Sequence, residues 1–270
     1  MKIATWNVNS IRSRLTHALD WLEVSGVDVL CLQETKVVDA DFPRSPFEAA
    51  GYHLYTFGQK SYNGVALVSR QPLTQVICGF SPVFEAAGSL TEAIQAFDEQ
   101  KRVISAVAAG VRLVNLYVPN GSSIGSEKYD YKLRWFGVLR QYLELLKAEG
   151  RPIAMCGDFN IALEDRDIHN PEGKEAHIMA SPLERETLRG ILDLGFADAF
   201  RKFTQEAGHY SWWDYRTAAF RRDMGWRIDH HYLTPDLYEQ AIACTIDKAP
   251  RSLPQPSDHT PVIVELDLER

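Results

Sequence analysis

The 270-residue sequence contains no apolar run long enough to cross a lipid bilayer, and its first residues lack a basic region leading into a continuous apolar stretch. These absences argue against a membrane-spanning protein, and we expect a soluble, cytoplasmic one. Low-complexity tracts and short tandem repeats are also missing, and no linker divides the chain. With 45% hydrophobic residues and no shift in composition, residues 1–270 are expected to form one compact domain.

Cysteine is scarce and shows no pairing. The 4 cysteines are widely spaced, at Cys31, Cys78, Cys156 and Cys244. Their spacing matches neither a zinc site nor a redox dithiol, and each lies alone in an apolar segment, which favours reduced core residues. Because Cys156 lies close to Asp158, a nucleophilic cysteine is the alternative interpretation at that position.

The sequence also lacks an excess of positive charge. Its 29 Lys and Arg are outnumbered by 36 Asp and Glu, which gives a net charge of −7. This balance argues against a protein that coats nucleic acid by bulk electrostatics, so any contact with a polyanion must be local. Basic residues do cluster near the candidate loops, at Arg12, Arg14, Lys36, Lys101, Arg102, Lys128, Lys132, Arg134, Arg216, Arg221, Arg222 and Arg227. They are either phosphate contacts or ordinary solvated surface charges.

What the sequence does contain is a series of strand-like apolar segments that run into polar side chains. The apolar run 153–156 leads into Gly157-Asp158-Phe159-Asn160, and the run 3–6 leads into Asn7. Three further sets repeat the pattern: Gln33-Glu34, Arg227-Ile228-Asp229 and Ser257-Asp258-His259. Strand ends of this kind gather polar groups along one rim of a sheet. Carboxylates, amides and an imidazole together suggest a hard-cation site for phosphate chemistry.

Helical and strand patterns alternate along the chain. A helical stripe from Leu15 to Leu22 ends near Gly26, and a turn at Ala109-Gly110 joins two strand candidates in a predicted antiparallel hairpin. A second amphipathic helix carries Phe136, Leu139, Leu143 and Leu146, and a capping box at Ser181-Pro182-Leu183-Glu184 begins a third. Hairpins interrupted by helices favour sheets with helices stacked outside.

Three segments read as long loops. They span Pro43 to Tyr62, Asn120 to Tyr129 and Asp165 to Ala180. Loops of this length in a compact domain are more often functional than accidental, so we expect them to contact a substrate.

Glu34 is the best candidate metal ligand. Mg²⁺ prefers a few carboxylate oxygens and keeps several waters, and Asn7 and Asp258 would complete the inner or outer shell. Alone, Glu34 would read equally well as a surface glutamate at a strand end. The three residues together favour the metal interpretation.

His259 gains significance from its neighbours. If Asp229 accepts a hydrogen bond from one ring nitrogen, the other is held toward a phosphate. Asp158 would then activate a water or help the leaving group, and Asn160 would hold the phosphate or the water through its amide. Which residue takes the proton from water stays open between Asp158 and the Asp229–His259 pair.

Seven motifs, in order, resemble those of the bacterial exonuclease III family, within the endonuclease/exonuclease/phosphatase superfamily. They are Thr5-Trp6-Asn7-Val8-Asn9-Ser10, Leu32-Gln33-Glu34-Thr35-Lys36, Asn63-Gly64-Val65-Ala66, Gly157-Asp158-Phe159-Asn160, Ser211-Trp212-Trp213-Asp214-Tyr215, Trp226-Arg227-Ile228-Asp229 and Ser257-Asp258-His259. The resemblance spans nearly the whole chain. It implies a four-layer α/β sandwich, in which two mostly antiparallel mixed sheets pack face to face with helices outside.

The resemblance also implies roles. The metal positions are Asn7, Glu34 and Asp258, and the catalytic positions are Asp158, Asn160, Asp229, His259 and Tyr117, whose hydroxyl would point at the scissile phosphate. Family members use Mg²⁺, for which Mn²⁺ is expected to substitute. They act on duplex DNA as 3′-to-5′ exonucleases, as endonucleases cutting 5′ to abasic sites, and in cleaning 3′ ends. We expect a monomer, with Arg102 among its substrate contacts.

Trp212, Trp226 and Ile228 match positions that form an apolar pocket for a flipped-out, baseless deoxyribose. A sugar without its base fits an aromatic cavity, and flipping costs least where stacking is already lost. The alternative is that all three are ordinary core residues.

Two departures from the family pattern stand out. His230 and His231 follow Asp229 where apolar residues are usual, and the loop from Asp165 to Ala180 has no readable motif. The loop leaves the preference between abasic sites and 3′ ends open. Two other functions stay open as well: a phosphodiesterase or phosphatase acting on RNA, inositol phosphates or lipid headgroups, and a non-catalytic DNA-binding module.

Overall fold

Two six-stranded β-sheets form the centre of the molecule. The computed structural model describes residues 1–269. Its strands are β1 (Lys2–Asn7), β2 (Val29–Gln33), β3 (His53–Phe57), β4 (Val65–Ser69), β5 (Thr74–Cys78), β6 (Val103–Ala108), β7 (Val111–Tyr117), β8 (Ile153–Asp158), β9 (Ala197–Asp198), β10 (Asp229–Leu233), β11 (Ala241–Ile246) and β12 (Val262–Leu266). The first sheet has the order β11-β12-β1-β2-β4-β3, and the second has the order β5-β6-β7-β8-β10-β9.

The helices lie outside these sheets. They are α1 (Leu15–Ser25), α2 (Arg44–Ala49), α3 (Ser81–Ala86), α4 (Glu92–Asp98), α5 (Glu127–Lys147), α6 (Pro182–Leu192), α7 (Ala199–Phe203) and α8 (Pro235–Gln240). Short 3₁₀ turns span Asp39–Asp41, Asp165–Asp167, Lys174–Ala176, Arg216–Ala218 and Ala249–Ser252. None of the helices in residues 1–269 combines the length and the hydrophobicity needed to cross a bilayer.

Both sheets are mixed but mostly antiparallel. Within the first sheet β1 and β2 run parallel, and within the second β7 and β8 do, while the other pairings are antiparallel. Each parallel pair is joined by a long helical crossover, α1 in the first sheet and α5 in the second, because parallel neighbours cannot be joined by a tight turn.

Strand alternation explains the four layers. Cys31 faces the layer between the sheets, where it packs with residues of both, whereas its neighbour Leu30 faces α1 and α2. In the second sheet Cys156 faces the same central layer, and Met155 packs outward against α5. Both faces of these strands are therefore buried, which is why they read as continuous apolar runs. The predicted four-layer α/β sandwich is confirmed.

Most of the predicted elements are present. Helix α1 ends at Gly26, whose φ of 66° gives the left-handed C-cap. The β6–β7 hairpin turns at residues 109–110, and α6 begins with the predicted capping box of Ser181 and Glu184.

One of the three predicted loops is wrong, and a second is shorter than predicted. The segment from Pro43 to Tyr62 is not a loop: it contains α2, which buries Phe47, and the edge strand β3, which pairs with β4. Helix α5 begins at Glu127 with Ser126 as its N-cap, so the loop after Asn120 is shorter than predicted. Short elements of this kind are stabilised by tertiary contacts that a local pattern does not show.

Candidate active site

The candidate site lies where strand ends of the two sheets meet. In the second sheet, Asp158 at the end of β8 is in register with Tyr117 on one side and Asp229 on the other. In the first sheet, Asn7 ends β1 and Glu34 directly follows β2. The predicted residues of distant sequence segments are therefore brought to one rim.

The backbone around Asp158 is shaped by a close approach to β7. Gly157 has a φ of 147°, and a Cβ atom there would lie 1.9 Å from the carbonyl oxygen of Leu116, so only glycine fits. Two residues further on, Asn160 adopts a φ of 49° and donates its backbone N–H to Asp158 Oδ1 at 2.9 Å. Its side-chain Nδ2 donates to Val118 O at 2.9 Å, and its Oδ1 accepts a hydrogen bond from Asn120 Nδ2 at 3.0 Å. The turn thus holds Asp158 and Asn160 in one geometry.

Asp158 is buried and has an unusual acidity. Its Oδ2 accepts a hydrogen bond from Asn7 Nδ2 at 2.9 Å and lies 3.7 Å from His259 Nε2. Burial raises the pKa of Asp158 to about 7 and outweighs the lowering effect of His259 and of the Asn7 hydrogen bond, while the Asp229 and Glu34 carboxylates act in the same direction as burial. A carboxylate with a pKa near neutrality is suited to accept and release a proton.

Asp229 and His259 form the predicted pair. His259 Nδ1 lies 2.9 Å from Asp229 Oδ2, which also accepts the hydroxyl of Ser211 at 2.7 Å. Burial alone would lower the pKa of His259, but the carboxylates of Asp229 and Asp158 outweigh it and raise the pKa to about 10. His259 is therefore protonated at neutral pH, with Nε2 directed at the space beside Asp158.

Asn7 links the two sheets directly. Its Nδ2 donates to Glu34 Oε1 at 3.0 Å and to Asp158 Oδ2. The other oxygen of Glu34 pairs with Lys36 Nζ at 2.8 Å. Burial acts to raise the pKa of Glu34, but Lys36 and Asn7 outweigh it, so the pKa lies below its ordinary value.

Asp258 lies beside this group, not within it. Its two oxygens accept hydrogen bonds from Asn9 Nδ2 and Trp212 Nε1, each at 3.0 Å. Asn9 in turn accepts from Lys36, the partner of Glu34. Asp258 therefore connects to Glu34 through two intermediate side chains, whereas Asn7 contacts Glu34 directly.

The donor set fits a hard divalent cation. Atoms of Asp158, Asp229 and His259 lie within 4.8 Å of one another, and Asp229 Oδ1 is buried without a hydrogen-bond partner among residues 1–269. Because His259 is protonated and bonded to Asp229, the carboxylates and not the imidazole would be the ligands. With Glu34 nearby, three carboxylates share one small space. Oxygen ligands of this type suit Mg²⁺, and a cation would supply the countercharge that keeps the carboxylates ionised.

Tyr117 presents its ring to the site under a guanidinium group. Arg102 lies 4.5 Å above the ring and donates to Tyr117 O at 3.1 Å. Burial, with the Glu34 charge, raises the pKa of the Tyr117 hydroxyl well above its ordinary value, so it stays a hydrogen-bond donor. Arg102 is itself buried, and its contacts orient Tyr117.

The three predicted pocket residues lie together. Trp212 and Trp226 have ring centroids 6.5 Å apart at an interplanar angle of 89°, and both pack with Ile228. Short bridges connect Trp226 to Trp212 and Trp212 to His259. The aromatic cluster is therefore joined through the backbone to the imidazole of the site.

The sequence profile of the Endonuclease/Exonuclease/phosphatase family matches residues 4–259. The chain belongs to this family.

Individual relatives agree with this assignment. An exodeoxyribonuclease of Bacillus subtilis is 34% identical over 265 residues, covering 97% of this chain and 98% of the relative. An AP endonuclease from Archaeoglobus fulgidus has a TM-score of 0.91 and 39% identity, over 99% of this chain and 100% of that chain. The 3′ phosphatase NExo from Neisseria, bound to a product DNA hairpin, also has a TM-score of 0.91, with 38% identity over 99% of both chains.

The sequence did not reveal the buried charged residues that hold the segments carrying the candidate site in place. Arg227 was expected as a phosphate contact or a solvated surface charge, but it is buried and pairs with Asp167 and Asp198, each at 2.7 Å. Its position in an apolar motif was the available signal, since a buried arginine needs carboxylate partners.

The loop from Asp165 to Ala180 packs against the aromatic cluster. Ile168 and Met179 pack in the same cluster as Ile228, and Ile168 forms a bridge with Trp226. Because this loop lacks a recognisable motif, its role is visible only in the structure.

Lys132 is a second missed support. It is fully buried, pairs with Glu184 at 2.5 Å and donates to Asn160 O at 2.8 Å. Lys132 was expected either among the phosphate contacts or as a solvated surface charge, but the structure directs it inward, where it holds the turn that carries Asn160.

A groove of about 710 Å³ extends from the site on the Tyr117 side. Its lining is mostly polar and basic: Gln59, Tyr62, Asn63, Gln100, Arg102, Tyr117, Pro119, Asn120, Gly121, Ser122, Glu127, Lys128, Tyr131 and Arg134. The predicted basic cluster of Lys128 and Arg134 thus lies beside the site despite the negative net charge of the chain.

The two histidines that depart from the family pattern are structural. His230 and His231 are buried, and each Nε2 lies 2.9 Å from a carbonyl oxygen, of Ile161 and Val262 respectively. Burial lowers the pKa of His230 to about 4, so its ring is neutral.

Proposed function

We propose that this chain is a divalent-cation-dependent DNA repair nuclease that cuts duplex DNA 5′ to abasic sites and removes nucleotides and blocking groups from 3′ ends. The observation that carries the proposal is the continuity of the Asp158, Asp229 and His259 group with the aromatic cluster of Trp212 and Trp226. Groups suited to phosphodiester hydrolysis lie next to an apolar aromatic cluster suited to contact a baseless sugar.

The scissile phosphate would lie between His259 and Asn160. His259 carries a positive charge and is oriented by Asp229, so its Nε2–H donates to a phosphate oxygen. Asn160 is held by the turn and by Asn120, and Tyr117 keeps its hydroxyl proton for a further donated bond. Donors fixed in a buried site stabilise the charge that develops on phosphorus-bound oxygens.

Asp158 would take the proton from the attacking water. Its Oδ1 and Oδ2 are fixed by Asn160 N and Asn7 Nδ2, and its pKa of about 7 matches a proton acceptor that works near neutral pH. Its Oδ2 also lies 3.7 Å from His259 Nε2.

Glu34 would hold the cation, for which we propose Mg²⁺, with Mn²⁺ as a substitute. Asn7 donates its N–H groups to Glu34 and Asp158, so it orients the ligands, and Asp258 lies behind Asn9 and Trp212. When bound, the cation neutralises phosphate oxygens and stabilises the leaving alkoxide.

Trp212, Trp226 and Ile228 would receive the baseless deoxyribose, with Ile168 and Met179 of the 165–180 loop completing the wall. The basic groove beside Tyr117 would hold neighbouring phosphates of duplex DNA. We also propose that residues 1–270 act as one catalytic domain, as a monomer and in the cytoplasm, in keeping with 4 unpaired cysteines.

The direct test is a cleavage assay with two matched duplexes. One carries an internal abasic-site analogue, and the other a recessed intact 3′ end, each incubated with protein and Mg²⁺ or with EDTA. Cleavage 5′ to the lesion with Mg²⁺ alone supports the proposal. Cleavage of neither duplex would contradict it and favour RNA, inositol phosphates or lipid headgroups as substrates.

Asp158→Asn is the matched variant for this assay. Because it removes the proton acceptor but keeps the shape of the side chain, kcat should fall by roughly a thousandfold while DNA affinity is retained. Affinity would be measured by fluorescence anisotropy in EDTA, and unchanged kcat would rule out the assigned role.

A further inference from the structure

Three polar side chains that are hydrogen-bonded to one another lie in the mostly apolar layer between the two sheets, where His231 of β10 separately contacts Val262 O of β12. Thr5 of β1, Gln33 of β2 and Asn115 of β7 are each 0% exposed. Around them the layer consists of residues such as Cys31 and Leu67. We call Thr5, Gln33 and Asn115 the inter-sheet amide cluster.

Hydrogen bonds of this cluster cross from one sheet to the other. Gln33 Nε2 lies 2.8 Å from Thr5 Oγ1 in its own sheet and 2.7 Å from Asn115 Oδ1 in the opposite sheet. Asn115 Nδ2 donates in return to Leu32 O and Ala66 O, both at 3.0 Å. Asn115 is therefore bound to the side chain of one strand and to the backbone of two.

The cluster lies directly beneath the candidate site. Thr5 precedes Asn7 by two residues and Asn115 precedes Tyr117 by two, so each pair shares a strand face. Gln33 is the residue immediately before Glu34 and is in register with Asn7. Every member of the cluster is thus one or two residues from a group of the site.

The site is assembled from both sheets, so its geometry depends on how they sit against each other. Glu34 and Asn7 come from the first sheet, whereas Asp158 and Tyr117 come from the second. Apolar contacts between sheets are non-directional and tolerate small shifts, but hydrogen bonds at fixed length do not.

Stability by itself does not explain the inter-sheet amide cluster. Burying amide groups is unfavourable unless each is hydrogen-bonded, and Gln33 Oε1 has no partner within residues 1–269. Apolar side chains of similar volume would fill the same space without this cost. A role in positioning explains the presence of amides where apolar residues would pack well.

We propose that Asn115 and Gln33 are positioning residues that set the relative placement of the two sheets, and with it the separation of Glu34 from Asp158. The inference rests on the proposed function for its kinetic readout. Asn115 of the second sheet is hydrogen-bonded to β2 and β4 of the first sheet. These bonds fix the position of one sheet against the other and therefore the distance between the carboxylates at the strand ends.

The test is Asn115→Leu, which removes the amide and nearly keeps the volume. On the abasic duplex, kcat should fall at least tenfold while KM changes less than roughly twofold, because the substrate contacts remain and the reacting groups shift. Without DNA, the affinity for Mn²⁺ measured by calorimetry should fall about fivefold. Unchanged kcat and unchanged Mn²⁺ affinity would overturn the inference.

A double variant covers the case in which Asn115→Leu does not fold. Gln33→Leu combined with Asn115→Leu removes both partners and leaves no amide unpaired. It should fold with a Tm at least equal to that of the single variant, and its kcat and Mn²⁺ affinity should stay low. Wild-type values in a folded double variant would overturn the inference.

Tyr142→Phe is the matched control. It removes a buried hydrogen bond to Ser105 of 3.0 Å that joins β6 to α5, on the outer side of the second sheet. Its kcat should stay at the wild-type value, and an equal loss in this variant would contradict a specific role for the cluster. If the wild-type protein cleaves no DNA, the proposed function fails, and the Mn²⁺ affinities alone decide the inference.

Discussion

At the scale of single residues, the chemistry depends on side chains that hydrogen bonds from neighbouring residues hold in one orientation. Asp158 is held by Asn7 and by the N–H of Asn160, and His259 is held by Asp229, which Ser211 holds in turn. Such groups need little reorganisation when charge develops on the phosphate. Their nearest neighbours therefore matter as much as the groups themselves.

Trp226 gives a prediction about specificity. In Trp226→Ala, kcat/KM for the abasic duplex should fall by roughly 10- to 100-fold, because an apolar wall of the sugar pocket is lost. Trimming of an intact 3′ end should fall much less. Steady-state kinetics on the two duplexes would measure this difference.

Trp226→Phe is the control, since it keeps an aromatic wall and should retain most of the abasic-site activity. An equal loss on both substrates in Trp226→Ala would mean that Trp226 only supports the core. The bridges of Trp226 to Ile168 and Trp212 involve the backbone and are kept in both variants.

At the scale of elements, a buried ionic network joins the pocket to the rest of the second sheet. Asp167 accepts from Arg227 and Arg201, and Arg227 also pairs with Asp198 at the end of β9. The N–H of Arg227 donates to Asp167 O at 2.8 Å as well. The segment before β10, which carries Trp226 and Ile228, is therefore tied to the 165–180 loop.

This network predicts a pH dependence of stability. Burial by itself raises the pKa of Asp167, but Arg227 and Arg201 outweigh it and lower the pKa from 3.8 to about 2. A carboxylate with a depressed folded-state pKa stabilises the fold above its unfolded pKa, and this stabilisation is lost as pH falls from about 4 to about 2. The contribution is about 2 kcal/mol.

Asp167→Asn tests the dependence. Its free energy of unfolding in urea should be about 2 kcal/mol lower than that of the wild type at pH 7. The difference should shrink as pH falls from about 4 to about 2, because the carboxylate of the unfolded wild type is protonated first and that of the folded wild type only near pH 2. A difference that stays constant down to pH 3 would contradict the assigned ion pairs.

At the scale of the whole molecule, packing the two sheets together buries several carboxylates near one another, and their mutual repulsion destabilises the fold when they are ionised. Asp158 has a folded-state pKa of about 7 against 3.8 ordinarily, because it is buried near Asp229 and Glu34. A carboxylate with a raised pKa holds more protons in the folded state, so the cation-free fold loses stability as pH rises from about 4 to about 7. A bound cation removes this loss by neutralising the charge.

The expected result is a Tm that depends on cation and pH together. At pH 8 in EDTA, Asp158→Asn should be more stable than the wild type by roughly 4 kcal/mol. Adding Mg²⁺ should raise the Tm of the wild type by several degrees and that of the variant by less. Differential scanning calorimetry would measure both, and equal shifts would exclude Asp158 from the cation environment.

Much of the fold was predictable because local and global signals agree. The apolar run before Asp158, the stripe of α1 and the capping box at Ser181 each specify an element without reference to the rest of the chain. Segments whose stability comes from distant partners were not predictable: β3 exists because β4 pairs with it, and α2 because Phe47 is buried.

By itself, the sequence determined which chemistry is available and at which strand ends it would lie, since residue type and the alternation of apolar runs are local properties. Only the tertiary structure decided which groups meet. In the folded chain Asn7 donates hydrogen bonds to both Glu34 and Asp158. Asn9 and Lys36 lie between Asp258 and Glu34, and the Lys132 side chain points inward. The physical reason is that these distances are set by the packing of two sheets, which no local pattern encodes.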